Sequence, residues 1–169
     1  MADARKLAFD PIAEARRHWS GRGWEEAAPG MAVVTSIMRV QQLFMGRADA
    51  VLRSFGLTFA RYEVLMLLLF SRQGELPLGK VGERLQVGPA SVTNAVDRLQ
   101  ADGLVTRRAN PVDGRGVLAA ITPAGRRRAR RATAELNGHF FASLELSGEE
   151  LERLFSLLRE VRRRAGDFR

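Results

Sequence analysis

Apolar side chains recur every three or four positions through most of the chain, which predicts a mainly helical protein. The first such segment begins with an aspartate N-cap and a proline, Asp10 and Pro11, and it predicts a short helix to Trp19. A second segment, Ile37 to Phe55, has the pattern of a long amphipathic helix. A third begins after Thr58 and is apolar on nearly all sides, so we expect it to be the buried centre of the fold.

Two short helices joined by a tight turn are predicted near the middle of the chain. The first covers Leu78 to Leu85 and is broken by Gln86-Val87-Gly88. The second opens at Pro89 and has apolar residues at positions i, i+4 and i+7, namely Val92, Val96 and Leu99. Gly103 lies just past its end, where it suits a C-terminal cap. Two short helices joined by a glycine-containing turn are typical of a helix-turn-helix.

A β-hairpin is predicted directly after this motif. Leu104 to Arg108 and Val117 to Ile121 have the composition of short strands. The connection between them, Ala109 to Gly116, holds Asn-Pro and Asp-Gly-Arg-Gly, so it should turn sharply and project from the body. A hairpin that follows a helix-turn-helix is a wing.

Two more helices are predicted at the end of the chain, the first after Thr122-Pro123 and the second after a capping box of Ser147 and Glu150. Both have one apolar stripe. A second copy of the chain would cover these stripes economically, and the alternative is that they cover their own core. We therefore predict a winged helix-turn-helix DNA-binding domain at residues 57–122, between dimerisation segments at residues 1–56 and 123–169.

Positive charge is concentrated in one part of the sequence. The chain has 27 basic and 19 acidic residues, and between Val105 and Arg131 eight arginines accompany a single acid, Asp113. A concentrated basic patch favours a polyanionic partner. For the run Arg126 to Arg131 alone, the alternative is a solvated helix face.

Several classes of function are disfavoured by composition. The absence of cysteine excludes thiol chemistry, and two histidines make a histidine-rich metal centre improbable. No glycine-rich phosphate loop or nucleophile–base pair is visible, so we expect no enzyme and no cofactor. The longest apolar run, Val64 to Phe70, is too short to span a bilayer, and the first residues lack an apolar signal core. We therefore expect a cytoplasmic protein without a membrane partner.

A series of short motifs stands in a specific order over about seventy residues, Leu57 to Arg126. They are Leu57-Thr58, Tyr62-Glu63-Val64-Leu65, Val81 to Leu85, Ser91 to Leu99, Asp102-Gly103-Leu104-Val105, Asp113-Gly114-Arg115 and Ile121 to Gly125. In these motifs the chain resembles the MarR family of bacterial winged-helix transcription factors. The resemblance implies a homodimer that binds double-stranded DNA at a pseudo-palindromic operator, usually as a repressor that a small ligand releases.

Polar residues on the helix that opens at Pro89 are the main DNA-contact candidates, because its first half should enter the major groove. Asparagine suits adenine, and arginine suits guanine or phosphate. We expect Ser91 and Thr93 to hold phosphates, with a purely structural role as the alternative for Thr93. The full candidate set is Lys80, Arg84, Pro89, Ala90, Ser91, Thr93, Asn94, Arg98, Arg107, Arg108 and Arg115.

Two wing residues take their roles from the resemblance. It implies that Arg115 lies in or near the minor groove, where arginine is favoured by the concentrated negative potential. It also implies that Asp113 ties the base of the wing to a neighbouring arginine. The alternative for Asp113 is a simple turn former, since Asp-Gly stabilises turns.

A ligand pocket is implied by the resemblance, between the dimer helices and the winged module. Residues near it by this reasoning are Trp19, Trp24, Met38, Gln42, Phe59, Tyr62, Glu63 and Met66. The extra N-terminal helix resembles a urate-responsive subgroup, in which a tryptophan, an acid and arginines hold the purine. The ligand-binding candidates are therefore Trp19, Met38, Tyr62, Glu63 and Arg107, for a small aromatic or purine effector. The alternative is that these Met and aromatic residues are core.

A competing function is a non-specific, architectural nucleic-acid-binding protein that depends only on the basic patch. Phosphate binding alone does not require polar side chains on the first half of a helix that follows a turn. The sequence has that arrangement, so we favour a sequence-specific regulator.

Overall fold

The structure is a computed structural model that describes residues 7–111 and 116–169 of the chain. It is mainly helical, with a small antiparallel sheet. The chain divides into two compact units, Met1–Arg47 and Ala48–Arg169.

The first unit contains helix α1, Pro11–Ser20, and most of helix α2, Ala28–Leu52. The Asp10 carboxylate accepts hydrogen bonds from the backbone N–H groups of Ile12 and Ala13, which confirms the predicted N-cap. Helix α2 carries exposed apolar side chains along its length, namely Val33, Val34, Ile37, Met38, Val40 and Leu43.

The second unit holds the remaining elements. A 3-10 turn at Arg53–Phe55 precedes helix α3, and the order is then α3 Phe59–Phe70, β1 Glu75–Pro77, α4 Leu78–Leu85, α5 Pro89–Ala101, β2 Val105–Ala109, β3 Val117–Ile121, α6 Pro123–His139, a 3-10 turn Phe141–Ser143 and α7 Gly148–Arg164. The predicted caps Thr58, Thr122 and Ser147 are confirmed, and Ser147 forms the expected capping box with Glu150.

The sheet has the strand order β1-β3-β2, so the middle strand pairs with both others. The hairpin of β2 and β3 is the predicted wing, although β2 begins at Val105 rather than Leu104. This shift follows the backbone, because Gly103 has a left-handed φ of 69° and the Leu104 N–H donates to the carbonyl of Leu99. The short strand β1 had no counterpart in the sequence prediction.

Helix α3 lies at the centre of the second unit and packs against α5 and α6. Its side chains Val64, Leu65 and Leu68 are almost fully buried, as predicted, whereas Phe70 at its end is exposed. Close packing explains Gly125 in the first turn of α6, because a Cβ there would lie 2.1 Å from the carbonyl oxygen of Leu104.

Helix α7 has an apolar stripe that stays exposed in the single chain. The stripe contains Leu154, Phe155, Leu158 and Val161, and α7 has no buried residue. Such a stripe is a surface for a partner. Within the described residues, no helix is long and apolar enough to cross a membrane.

Candidate nucleic-acid interface

Helices α4 and α5 form the predicted helix-turn-helix. Gln86 ends α4 in the left-handed region, with φ 57°, and the N–H of Val87 donates to the carbonyl of Gly82. The chain then re-enters a helix at Pro89. The inward residues of α5 are Val92, Val96 and Leu99, all of them buried as predicted. The opposite face of α5 is thereby fixed outward.

The outward face of α5 presents polar side chains to solvent. Ser91, Thr93, Asn94 and Arg98 are all exposed, as are Pro89 and Ala90 at the start of the helix. Within residues 7–111 and 116–169, the side chains of Ser91, Asn94 and Arg98 have no hydrogen-bonded or ionic partner. Their donors and acceptors are therefore available to a ligand.

A polar groove runs between this face of α5 and the start of α3. We call it the α3–α5 groove; its volume is about 500 Å³ and it is lined by Thr58, Ala60, Arg61, Ser91, Asn94, Ala95 and Arg98. The guanidinium of Arg61 lies near Asp102, with 3.5 Å between Nη1 and Oδ2. Sequence reasoning missed Thr58 and Arg61 as site residues, and the only signal for them was a basic residue three positions after a helix cap.

Two candidates lie on the first helix of the motif. Lys80 Nζ is 2.8 Å from Glu83 Oε2, and this contact lowers the pKa of the Glu83 carboxyl below its ordinary value. Arg84 is exposed on the same helix. The contact with Glu83 partly neutralises Lys80, so Arg84 is the more available cation of the two.

Arg107 on β2 is bound to the outward helix rather than turned to solvent. Its Nη1 lies 2.7 Å from Asp97 Oδ1, and its Nη2 donates to the backbone carbonyl of Thr93 at 3.2 Å. Its Nε is buried and has no hydrogen-bond partner among the described residues. Sequence reasoning placed Arg107 in both the DNA and the ligand set. The structure uses its guanidinium to join strand β2 to α5, and the role of Asp97 in that contact was not predicted.

Arg108, the next residue, has a different partner. Its Nε and Nη2 donate to the two carboxylate oxygens of Glu75 on β1, at 3.1 and 2.5 Å. Consecutive strand residues point to opposite faces, so Arg107 and Arg108 contact different elements. The wing residues Asp113 and Arg115 lie outside the described residues.

The arginines of α6 do not act as one surface. Arg128 donates to the carbonyl of Phe55, and the guanidinium of Arg131 lies 5.9 Å from the ring centroid of Phe55. These two hold the turn before α3. Arg127 and Arg130 are exposed. Part of the basic run is therefore structural.

The predicted ligand residues are divided between the two units. Trp19 packs edge-on against Trp24, 5.3 Å between centroids, and Met38 is exposed on α2. In the second unit Tyr62 is buried, and its hydroxyl lies 3.0 Å from Thr133 Oγ1. Glu63 follows it on α3.

Glu63 is a half-buried carboxylate. Burial raises the pKa of Glu63, and no ion pair or hydrogen bond involves its side chain in the described part of the chain. Residues 7–111 and 116–169 bring together no group of three acidic or histidine side chains that could hold a metal ion.

The comparisons with known proteins bear on this geometry. The MarR family model matches residues 55–116. A MarR family transcriptional regulator from Streptomyces coelicolor, Sco5413, is 52% identical, with 83% of this chain and 97% of that chain covered and a TM-score of 0.77. A second one from Streptomyces coelicolor, Sco3205, was solved in complex with DNA; it is 25% identical over 76% of this chain and 82% of that chain, with a TM-score of 0.68.

A third similar structure is CouR from Rhodococcus jostii RHA1 bound to p-coumaroyl-CoA, 25% identical over 76% of this chain and 90% of that chain, with a TM-score of 0.67. The matched residues 55–116 contain α3, the helix-turn-helix and the first strand of the wing. The order of elements, the outward polar face of α5 and these similarities agree, and the chain belongs to the MarR family of transcriptional regulators.

Proposed function

We propose that two copies of this chain bind a pseudo-palindromic operator in double-stranded DNA and repress transcription until a small ligand releases them. The observation that carries this function is the outward face of α5, on which Ser91, Asn94 and Arg98 stand exposed and unpaired while the other face is buried. The similar regulator Sco3205 holds DNA in its crystal structure. The family consists of transcriptional regulators rather than enzymes, in agreement with the sequence prediction.

Base recognition comes from the outward face of α5. An asparagine side chain makes two hydrogen bonds with adenine in the major groove, and an arginine makes two with guanine. Asn94 and Arg98 lie four positions apart and so on one face of the helix, which lets them read neighbouring base pairs. Arg115 of the wing is assigned to the adjacent minor groove by the family resemblance.

Phosphate contacts come from the groups around that face. The α3–α5 groove places Arg61 and Ser91 beside Asn94, so a DNA strand whose bases meet α5 passes over a cation and a hydroxyl. Arg84 and Lys80 supply charge on the other helix of the motif. We therefore assign DNA binding to residues 57–122, and dimerisation to residues 1–56 and 123–169.

Dimerisation is supported by apolar surface on α2 and α7. Met38 is 60% exposed on α2, and Leu157 is 61% exposed on α7. Exposed apolar surface of this extent is covered in an assembly. A two-fold dimer presents two α5 helices about 34–36 Å apart, the separation of successive major grooves on one side of DNA.

For the effector we propose a small aromatic or purine molecule of the urate kind. The similar protein CouR was solved bound to p-coumaroyl-CoA. In the second unit, Glu63 offers an unpaired, half-buried carboxylate that accepts the N–H groups of a purine. Trp19, in the first unit, is a ligand candidate only by the resemblance to the urate-responsive subgroup. Arg107 and Tyr62 are weaker ligand candidates, because the first is paired with Asp97 and the hydroxyl of the second lies within hydrogen-bond distance of Thr133.

Calorimetry with urate and xanthine tests this effector class. Binding that Glu63→Gln weakens supports the assignment, with Glu152→Gln on α7 as a control for loss of an exposed acid. No heat at millimolar ligand removes the purine proposal and leaves the DNA-binding function untouched.

Selection from a library of random-sequence duplexes tests the function itself. The purified chain is given the library at physiological salt with excess competitor DNA, and the enriched duplexes are sequenced. The proposal predicts one enriched motif with two inverted halves about one helical turn apart. Recovery of duplexes without any shared sequence contradicts it and favours the alternative, a non-specific architectural protein.

A further inference from the structure

The ion pair of Arg108 and Glu75 joins the two outer strands of the sheet across the middle one. Glu75 pairs in register with Ala120 of β3, and Arg108 pairs with Leu118, two residues away on the same strand. The Arg108 side chain therefore passes over β3 to reach β1. Both guanidinium nitrogens involved, Nε and Nη2, bind the carboxylate, one oxygen each. A two-point contact fixes the orientation of both side chains.

Burial of the two partners is unequal. The side chain of Glu75 is 16% exposed, and that of Arg108 is 50% exposed. Loss of its only cationic partner costs a partly buried carboxylate more free energy than an exposed carboxylate, because water cannot replace the lost hydrogen bonds as well. The pair is therefore held more firmly than a contact between two surface side chains.

The position of β1 gives this contact its significance. Strand β1 ends at Pro77, and α4, the first helix of the helix-turn-helix, begins at Leu78 without an intervening loop. Arg108 lies next to the last residue of β2, where the strands of the wing enter its loop; we call this end, the base of the loop, the base of the wing. The ion pair thus connects the wing to the start of α4, while the neighbouring Arg107 connects it to α5 through Asp97.

We propose that Glu75 is a positioning residue for DNA binding, which acts through Arg108 to fix the base of the wing against the helix-turn-helix. This inference rests on the proposed function and deepens it. The wing and α5 must fit neighbouring grooves of one duplex at the same time. A wing that is held in place before binding pays less ordering entropy when the complex forms.

The alternative role for Arg108 is a direct phosphate contact. The two roles predict opposite changes in DNA affinity for Glu75→Gln. If Arg108 bound phosphate, Glu75→Gln would free its charge and remove a negative charge near DNA, and binding would tighten. If Glu75 positions the wing, the same substitution weakens binding although the protein becomes more positive. The sign of the effect of Glu75→Gln therefore separates the two roles.

The experiment measures affinity for a duplex that the wild-type chain selects from the random library, by fluorescence anisotropy at several salt concentrations. We expect Glu75→Gln and Arg108→Gln each to weaken binding about three- to tenfold, and the double variant to be no weaker than either. The slope of affinity against salt stays as in wild type for Glu75→Gln, because no phosphate contact is lost. The exchanged pair, Glu75→Arg with Arg108→Glu, restores part of the affinity.

The matched control is Glu135→Gln, the same exchange at an exposed acid on α6 whose Oε2 lies 3.3 Å from His139 Nε2. Its affinity should equal that of wild type. Circular dichroism and thermal unfolding of each variant exclude a loss of folding as the cause of weakened binding. Arg108→Lys keeps the charge without the two-point contact, so it should bind like Arg108→Gln.

Amide hydrogen exchange provides a readout that needs no DNA. The N–H of Asn110 donates to the carbonyl of Gly116 at 2.9 Å, which closes the base of the wing. Glu75→Gln should accelerate exchange in residues 105–111 and 116–120, and the exchanged pair should restore protection. Equal or tighter DNA binding by Glu75→Gln, or unchanged exchange there, overturns the positioning role. Failure of the wild type to select any motif instead contradicts the proposed function, and the exchange result then decides only whether Glu75 holds the wing in place.

Discussion

Arg107 of the wing and Asp97 of α5 form an ion pair, with 2.7 Å between Nη1 and Oδ1. The same guanidinium donates to the Thr93 carbonyl, so one side chain holds two successive turns of the helix. Arg107 thus contacts a side chain and a backbone carbonyl of α5, the helix whose outer face is assigned to the bases. This side chain connects strand β2 of the wing to the recognition helix, α5.

A double-mutant cycle tests this pair. We expect Asp97→Ala and Arg107→Ala to show a coupling of about 0.5–1 kcal/mol in the free energy of unfolding, because the charged atoms lie only 2.7 Å apart. The measurement is urea unfolding at one fixed protein concentration, since dimer stability depends on concentration. The matched comparison is Arg61 with Asp102, at 3.5 Å, for which coupling should lie within error. Equal coupling energies in the two cycles would show that the Arg107–Asp97 pair is no stronger than the Arg61–Asp102 pair, and would contradict the prediction.

Substitution of Asn94 should change sequence preference more than general affinity. Asn94→Ala should cost about 1–3 kcal/mol on the selected operator and relax preference at one base pair in each half, because two hydrogen bonds to a base edge are lost. Affinities for the operator and for its single-base variants measure this. Gln100→Ala removes an exposed amide near the other end of α5 and should leave both the affinity for the operator and the base preference unchanged. A uniform loss across all duplexes would place Asn94 on phosphate instead.

Arg61 should behave in the opposite manner. Arg61→Gln should weaken binding to every duplex by a similar factor and reduce the slope of log affinity against log salt by about 1, as loss of one phosphate contact does. Titrations at four or more salt concentrations give the slope. Arg22→Gln, in the exposed turn after α1, removes the same charge and should leave the slope as it is. A changed base preference in Arg61→Gln would refute its assignment to the backbone.

The α7 stripe should be part of the dimer interface. Phe155→Asp places a charge on an apolar side chain that is 54% exposed in the single chain, and burial of that charge would be costly. We expect the dimer to dissociate at micromolar concentration, as measured by light scattering or sedimentation. Ser156→Asp adds the same charge on the side of α7 away from the stripe and should leave the dimer intact. A stable Phe155→Asp dimer would mean that α7 lies outside the interface.

Glu63 should make stability depend on pH. Burial raises the pKa of Glu63 in the folded chain, so ionisation of this carboxyl lowers the free energy of unfolding. The wild type therefore loses stability as pH rises from below the ordinary value of 4.5 through the folded-state pKa. Glu63→Gln should unfold at a higher temperature than wild type at pH 7 and at the same temperature at pH 4, as followed by circular dichroism. Glu152→Gln, an exposed acid on α7, is the control.

The helix-turn-helix was predictable because its signals are local. Pro89 at the first position of a helix and the buried spacing of Val92, Val96 and Leu99 need no information from the rest of the chain. The end of α2 was less well predicted. The apolar period continues to Phe55, but the helix stops at Leu52 and a 3-10 turn leads to Gly56, which has a left-handed φ of 66°.

The parts that sequence reasoning missed depend on distant residues. Strand β1 has three residues and ends in a proline, so no alternating pattern exists to reveal it; it forms because β3 offers it an edge. The partners of Arg107 and Arg108 lie 10 and 33 positions away in the chain. Only the fold brings each arginine to its acidic partner. From the sequence alone, the concentration of arginines led us to expect that Arg107 and Arg108 bind phosphate.

The most direct test of the account is a comparison of affinities for two duplexes. The wild-type chain is titrated against its selected operator and against a scrambled duplex of the same composition, at physiological salt with excess competitor DNA. We expect the chain to bind the operator at least about a thousandfold more tightly than the scrambled duplex, as sequence-specific regulators do. Equal affinities, both abolished by competitor, would contradict the claim that the outward face of α5 reads bases.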